Sequence, residues 1–127
     1  MDNGYDNYSN YFTFNSFYFF IANNSNTNGV IVTTASNSFL PNAWTHVVVT
    51  YSGNSNASGV KIYKNGVSLP LTTNYDTLSA SITGTTNWRI GDDSTSDYAS
   101  GIIDDVRFYN REVSAKEVQA LYKLGTQ

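Results

Sequence analysis

Residues 101–122 read GIIDDVRFYNREVSAKEVQALY and join a two-sided strand directly to a capped amphipathic helix. Side chains alternate between the two faces of a strand. In the predicted strand Ile102–Tyr109, Asp104, Val106 and Phe108 therefore share one face. We expect this face to lie on the core side. The stretch predicts a domain that ends in a half-buried strand followed by a short helix.

The helical part of this stretch begins at a capping box. Ser114 and Glu117 stand three residues apart, so each side chain can bond a backbone amide that the first helical turn leaves free. Gly125 is placed where a chain leaves a helix in a left-handed turn. A helix of about ten residues is marginal alone, so we expect it to dock on the sheet. The docking residues follow at helical spacing on one face: Val118, Leu121 and Tyr122.

The preceding residues are typical of short strands separated by turns. Asn65-Gly66 suits a two-residue hairpin turn, because both residue types tolerate positive φ. The Asn15-Ser16 step is expected to be a bulge or bend within a single aromatic strand. The predicted strands are Tyr11–Ala22, Val30–Ala35, Trp44–Tyr51, Val60–Lys64, Val67–Leu69, a weak one at 79–83, and Trp88–Gly91. Regular turn signals of this kind favour a β-sandwich.

Three runs carry a resemblance to a known family. They are NAWTHVVVTYSG at 42–53, VKIYKNGVSLP at 60–70 followed by NWRIGDD at 87–93, and the C-terminal stretch above. In this order and spacing they resemble the concanavalin A-like lectin/glucanase superfamily, in its laminin-G-like, pentraxin-related branch. The resemblance implies an all-β fold, an antiparallel jelly-roll β-sandwich with one short C-terminal helix. We expect this domain to cover 11–127 after a flexible segment at 1–10.

Domains of this branch have further strands before the position that Tyr11 matches. Residues 1–10 are too few and too polar to supply them, so we expect a natural short variant or a portion of a longer domain. A sandwich that lacks strands exposes apolar surface and an unpaired sheet edge, which another chain can cover. The sequence therefore predicts a homo-oligomer formed through exposed sheet edges or aromatic faces.

Composition and charge exclude several classes of partner. Asp, Glu, Lys and Arg make up 13% of 127 residues, and the net charge is −3. Only seven residues are basic and they do not cluster, so nucleic acid is not an expected partner. The chain has no cysteine, which excludes disulfides and thiolate metal sites. No apolar run approaches the roughly 18 residues that span a bilayer, so membrane insertion is not expected.

Two acidic groups are candidate metal sites. A core-facing Asp104 would need a partner, and in similar superfamily members the Asp of this Gly-x-Ile-Asp segment often ligates a structural calcium ion. The resemblance thus implies calcium at Asp104. Asp92, Asp93 and Asp97 lie within six residues, and these carboxylates could together bind one calcium ion. Alternatively, Asp104 accepts hydrogen bonds from loop amides or an arginine, and the Asp- and Ser-rich loop is a solvated turn.

Aromatic residues supply the candidates for ligand contact. Tyr98 stands at a predicted loop tip, where burial is not demanded. Together with Tyr75 and Tyr51 it is the predicted ligand-binding set. Trp44 and Trp88 could stack on sugar rings, but both match core positions of the family, and we expect them to be buried. The single histidine, His46, is expected to be a packed structural residue.

The resemblance implies a non-catalytic binding or adhesion module for carbohydrate or glycoprotein, within a larger extracellular, cell-surface or virion protein. Two alternatives stay open. One is a structural or assembly domain whose exposed sheet edge mediates oligomerisation, and the other is a fragment of a polysaccharide-acting enzyme. Glycosidases need two suitably placed carboxylates. The two glutamates, Glu112 and Glu117, lie at the terminal helix, so no such pair is predicted.

Overall fold

The computed structural model describes residues 8–13, 16–24, 28–79, 82, 90–91 and 99–125. In these residues the chain forms strands β1 (Tyr8–Thr13), β2 (Ser16–Asn24), β3 (Asn28–Thr34), β4 (Val47–Tyr51), β5 (Val60–Lys64), β6 (Val67–Ser68) and β7 (Leu71–Asp76). A 3-10 turn at Ala57–Gly59 precedes β5, and helix α1 covers Ala115–Leu124. β3 and β5 confirm two predicted strands closely.

The strands form two antiparallel sheets. One has the order β1-β2-β3-β7 and the other the order β4-β5-β6. The β5-β6 turn is the predicted hairpin, with positive φ of 51° at Asn65 and 80° at Gly66. β4 is an outer strand of its sheet and pairs with β5 in the register Val49↔Ile62.

The inner faces of the two sheets share one hydrophobic core. Every second residue of β2 points inward and meets alternate residues of β5, as the two-residue period of a strand requires. The core residues are Phe17, Phe19, Ile21, Val30 and Val32 from the first sheet, Val60 and Ile62 from the second, and Phe39 and Ala57 from connecting segments. This arrangement confirms two packed antiparallel layers. Jelly-roll connectivity stays a prediction.

Helix α1 docks on the outer face of the second sheet, as its apolar stripe predicts. Val118 is completely buried and packs with Val113, Tyr63 and Val48. The capping box is confirmed at its two bonds. The Glu117 amide donates to Ser114 Oγ at 3.3 Å, and the Ser114 amide donates to Glu117 Oε2 at 2.7 Å.

The predicted left-handed helix end is wrong. Gly125 has φ of −80° and stays in the right-handed region. Its amide donates to the Leu121 carbonyl at 3.3 Å, so the helical bonding pattern continues through the last turn. No left-handed residue is needed there to satisfy that carbonyl.

The N-terminal part differs from its prediction in two ways. β1 begins at Tyr8, inside the segment that was expected to be flexible. The predicted single strand Tyr11–Ala22 is instead divided between two antiparallel strands that pair with Thr13 opposite Ser16. The two strands therefore run in opposite directions, whereas the sequence predicts one strand with a bulge or bend at this point.

The predicted strand Ile102–Tyr109 is the largest error. These residues belong to no strand of the described sheets, and Ile102 and Phe108 are 79% and 67% exposed. Asp104 is exposed as well, so its expected core-facing position is also wrong. A run of alternating side chains buries one of its faces only where a neighbouring strand pairs with it and a second layer packs against it. A positive φ of 53° at Asp105 also interrupts the extended run.

Candidate functional site

A groove of about 1270 Å³ lies between β4 and residues 99–112. Its first wall is β4 together with the loop that precedes it, and its second wall is the exposed segment Ile102–Tyr109 with the residues that flank it. We call this feature the β4 groove. Because β4 is an outer strand, the groove runs along a sheet edge.

The backbone of β4 uses only alternate residues to bond β5. The Ser52 amide donates to Gly59 O at 3.1 Å, and the His46 carbonyl accepts from the Asn65 amide at 2.9 Å. In an antiparallel pair the bonded positions alternate, so the even-numbered residues between these two face β5. The backbone N–H and C=O groups of Val47, Val49 and Tyr51 therefore point into the groove.

The groove is apolar on both sides of the sheet plane. Phe19 and Phe39 line it on the side of the sandwich core, and the Tyr51 ring stands 5.9 Å from that of Phe19. Val113 and Leu121 line it on the side of helix α1. Among the described residues no strand pairs with the outer edge of β4, and this edge lies between two apolar layers.

Charged side chains at the second wall pair with groups already present in the chain. Arg107 holds Asp105 through bonds of 2.9 Å and 2.8 Å. Glu112 accepts from Lys61 at 2.8 Å, and Arg111 pairs with Glu117 at 2.6 Å. The Arg111 guanidinium and the Ser114 amide lower the pKa of Glu117 to about 2. Glu117 is therefore ionised at neutral pH, and all three carboxylates are engaged by basic side chains of the chain.

His46 lies where the loop enters β4. Its amide donates to Asn65 Oδ1 at 2.9 Å, and its ring stands 5.8 Å from that of Tyr122. Ring atom Nδ1 is buried without a hydrogen-bond partner among the described residues. Burial, and then the positive charge of Arg107, lower the pKa of His46, while Asp105 opposes this shift. The expected structural role of His46 agrees with this packing.

We expect the stability of the fold to decrease as the pH falls through the range near 6.5, the usual pKa of histidine. The folded chain resists protonation of His46, so the unfolded chain binds more protons and stability rises with pH in this range. Solvent screening limits the effect to less than about 1 kcal/mol. Urea unfolding at pH 6 and pH 8 measures it. His46→Gln should remove most of the difference, and an equal difference in this variant would contradict the assignment.

Trp44 is the main correction among the predicted site residues. It was expected in the core, but its side chain is 70% exposed and lines the β4 groove. β4 begins at Val47, three residues later than predicted, so Trp44 belongs to the loop before the strand. A loop residue is not held against the core by a sheet ladder, which accounts for its exposure.

The predicted tyrosine set does not come together among the described residues. Tyr51 is half-buried in β4 and lines the groove. Tyr75 is exposed on β7 of the other sheet, opposite Ile31. Tyr98 and Trp88 lie outside the described residues. The structure thus places one of the three tyrosines at the groove.

The structure gives partial information on the predicted calcium sites. Asp104 accepts a hydrogen bond from the Asp105 amide at 2.8 Å. Within the described residues, no group of three or more acidic, histidine or cysteine side chains could hold a metal ion. Asp92, Asp93 and Asp97 lie outside those residues. Calcium binding therefore stays a prediction.

Comparison with known families identifies the fold. Residues 2–119 match a laminin G family model of the concanavalin A-like lectin/glucanases superfamily. The chain belongs to this superfamily. Membership confirms the resemblance that the Trp44, Asn-Gly and Gly-x-Ile-Asp runs carry in the sequence. The packed antiparallel sheets agree with it.

A similar solved structure is that of an S-layer domain-containing protein from Clostridium thermocellum ATCC 27405. The two chains are 23% identical with a TM-score of 0.49, and the match covers 96% of this chain and 65% of that one. The superfamily domain described here thus spans about two thirds of that structure. No curated protein matches the chain. In the part of the chain that the structure describes, no helix is both long and apolar enough to cross a membrane.

Proposed function

We propose that this superfamily domain is a non-catalytic binding or adhesion module for carbohydrate or glycoprotein, and that the β4 groove is its site. The exposure of Trp44 carries the proposal. An indole face in a groove offers a flat apolar surface on which a sugar ring can stack. The opposite wall adds the exposed side chains of Tyr109 and Asn110. Their hydroxyl and amide groups are suitable hydrogen-bond partners for sugar hydroxyls.

The engaged glutamates support a non-catalytic role. Glycosidases use one protonated and one ionised carboxyl group across the scissile bond. Glu117 has a pKa of about 2 and caps α1, while Glu112 is bonded to Lys61. Neither is placed to act as an acid. Sustained turnover of a polysaccharide by the isolated chain would instead favour the enzyme alternative.

Glycan-array screening followed by titration calorimetry tests the carbohydrate proposal. We expect Trp44→Ala to weaken binding at least about tenfold, a change of about 1.4 kcal/mol, while Trp44→Phe retains part of it. Tyr75→Ala, on the other sheet, is the matched control and should bind normally. Failure of every glycan to bind, or equal binding by Trp44→Ala and the unmodified chain, would contradict the proposal.

Location and metal dependence belong to the same proposal. A polar surface with few charges suits neutral glycans and fits an extracellular, cell-surface or virion protein, since only 13% of the residues are Asp, Glu, Lys or Arg. Calcium at Asp104, or at Asp92, Asp93 and Asp97, would raise the melting temperature of the chain, because a ligand of the native state stabilises it. An unchanged melting temperature between excess chelator and millimolar calcium would reject both metal sites.

A second candidate function is assembly of identical chains. Two observations favour it, since unpaired edges and apolar surface promote association. No described strand pairs with the outer edge of β4, and the side chains of Ile102 and Val106 are exposed. Sedimentation velocity over a range of concentrations tests this prediction. A monomer that persists at high micromolar concentration would contradict homo-oligomerisation.

A further inference from the structure

We propose that the β4 groove selects glycans that carry free amino groups, and that Asp104 is the residue that determines this specificity. The ligand would be a chain of amino sugars whose nitrogens are unsubstituted and positively charged. The inference rests on the carbohydrate proposal above, and it names the class of sugar that the same groove would take.

The described side chains that line the groove carry more negative than positive charge. Asp104, Asp105 and Glu112 are acidic, whereas Arg107 and Arg111 are basic. The chain as a whole has few charges and a net charge of −3, but the charges at the groove are not balanced. A groove of this sign repels an anionic glycan, such as one rich in uronic acids or sulfate groups, and attracts a cationic one.

The two arginines of the groove are already engaged by neighbouring carboxylates. Arg107 donates to both oxygens of Asp105 at 2.9 Å and 2.8 Å. Arg111 donates to both oxygens of Glu117 at 3.1 Å and 2.6 Å. Both pairs are bidentate, which is the strong geometry for an arginine and a carboxylate. An acidic sugar would therefore have to compete with these carboxylates for the guanidinium groups.

Asp104 is the groove-lining carboxylate that has no basic partner among the described residues. Arg107 engages Asp105 and Lys61 engages Glu112. The bond described for Asp104 comes instead from the backbone amide of the next residue, which donates to Oδ1 at 2.8 Å. Because Asp104 is exposed, its Oδ2 can accept a hydrogen bond from an ammonium group of a ligand. Such a bond is charge-assisted and stronger than a bond between neutral groups.

Aromatic side chains of the same groove favour a cation for a second reason. Trp44 and Tyr109 line the groove and are 70% and 46% exposed. The face of an aromatic ring attracts a cation, most strongly in tryptophan. An amino sugar combines this attraction with the stacking of its own ring on the indole. A neutral sugar offers only the stacking, and an ammonium group without a sugar offers only the charge.

Titration calorimetry with two matched oligosaccharides tests the specificity. The probe is the tetrasaccharide of glucosamine. The comparison ligand is the same tetrasaccharide with every nitrogen acetylated, which removes the charges and keeps the sugar rings. Both are titrated at pH 6, where the amino groups are protonated, and with excess chelator, so that no calcium competes for Asp104. We expect the probe to bind at least about fivefold more tightly, and we expect added salt to weaken binding of the probe alone.

Two neutralising substitutions locate the charge that selects the probe. Asp104→Asn keeps the shape of the side chain and an oxygen for the Asp105 amide, so the fold is retained. It should weaken binding of the probe about three- to fivefold and leave binding of the acetylated tetrasaccharide unchanged. Asp76→Asn is the matched control and should bind both sugars normally. Asp76 is exposed on the other sheet, does not line the groove, and likewise accepts from a backbone amide, that of Ala57, at 2.7 Å.

Trp44→Ala separates the failure of this inference from the failure of the carbohydrate proposal. It should weaken binding of both tetrasaccharides, because stacking is common to them, and normal binding of both would contradict the carbohydrate proposal itself. The specificity alone is overturned if Trp44→Ala weakens both sugars but the acetylated tetrasaccharide binds as tightly as the probe. It is also overturned if Asp104→Asn and Asp76→Asn weaken binding of the probe equally.

Tetralysine tests whether the sugar ring is needed, because it carries ammonium groups without sugar rings. It should bind at least about fivefold more weakly than the probe, since it cannot stack on Trp44 as a pyranose does. Equal binding of tetralysine and the probe would show that the groove recognises charge alone, and would overturn the assignment to amino sugars. No binding of the probe at millimolar concentration would overturn it as well.

Discussion

Val118→Asp is expected to lower the free energy of unfolding by about 3–5 kcal/mol, because it leaves an unpaired charge in an apolar site. Val118 is fully buried between helix α1 and the second sheet, where Val113 and Tyr63 surround it. Urea denaturation followed by circular dichroism measures the change.

Gln119→Asp is the matched control for this helix. Gln119 is the next residue along α1 and is exposed, so the same substitution there should change stability by no more than about 0.5 kcal/mol. If the two variants unfold at the same urea concentration, α1 does not dock on the sheet. The three-layer arrangement of two sheets and a helix would then be wrong.

Ile62→Ala is expected to destabilise the chain by about 2–5 kcal/mol, the range for truncating a large buried aliphatic side chain. Ile62 is fully buried on β5 and contributes to the core that the two sheets share. The loss includes both the transfer of apolar area and the cavity that remains. Thermal or urea unfolding, monitored by tryptophan fluorescence, gives the value.

Two further substitutions calibrate this result. Ile62→Val removes one methylene and should cost about 0.5–1.5 kcal/mol. Val67→Ala, at an exposed position on the neighbouring strand β6, should have little effect. A small loss for Ile62→Ala would mean that the two sheets do not share a packed core, which contradicts the sandwich.

Features set by neighbouring residues could be predicted from the sequence. The capping box at Ser114 and Glu117 needs only two side chains three residues apart and their own backbone amides. The Asn65-Gly66 turn needs only two residues that accept positive φ. β5 follows from a short alternating run that ends at this turn. Each of these features is complete within about four residues of sequence.

Features that depend on distant neighbours could not be predicted in the same way. Ile102–Tyr109 has strand alternation, but alternation does not show whether a partner strand lies beside it. β7 was missed because LTTNYD is polar at an outer position of its sheet, and most of its residues are exposed. The exposed edge of β4 likewise depends on the order of strands in the sheet. Five residues of high β-propensity do not reveal which edge is free.

The candidate site shows the same limit. Trp44 was expected in the core as the first residue of the predicted strand Trp44–Tyr51. β4 begins three residues later, at Val47, so Trp44 belongs to the preceding loop and is not buried by the sheet. Its exposure, its position at the groove and the direction of the Val49 backbone come from tertiary structure. The sequence signal that could have indicated them is Pro41-Asn42 just before Trp44, which is typical of a loop.

Amide hydrogen exchange along β4, measured by NMR on the dilute isolated chain, tests the open sheet edge most directly. We predict an alternating pattern, with slow exchange at Val48 and Thr50, whose amides face β5, and fast exchange at Val49 and Tyr51, whose amides face the groove. The two pairs of amides lie on the same short strand, so each pair is an internal control for the other. Slow exchange at all four positions, independent of protein concentration, would show that the edge is already covered within the chain. That result would contradict the β4 groove as a binding site.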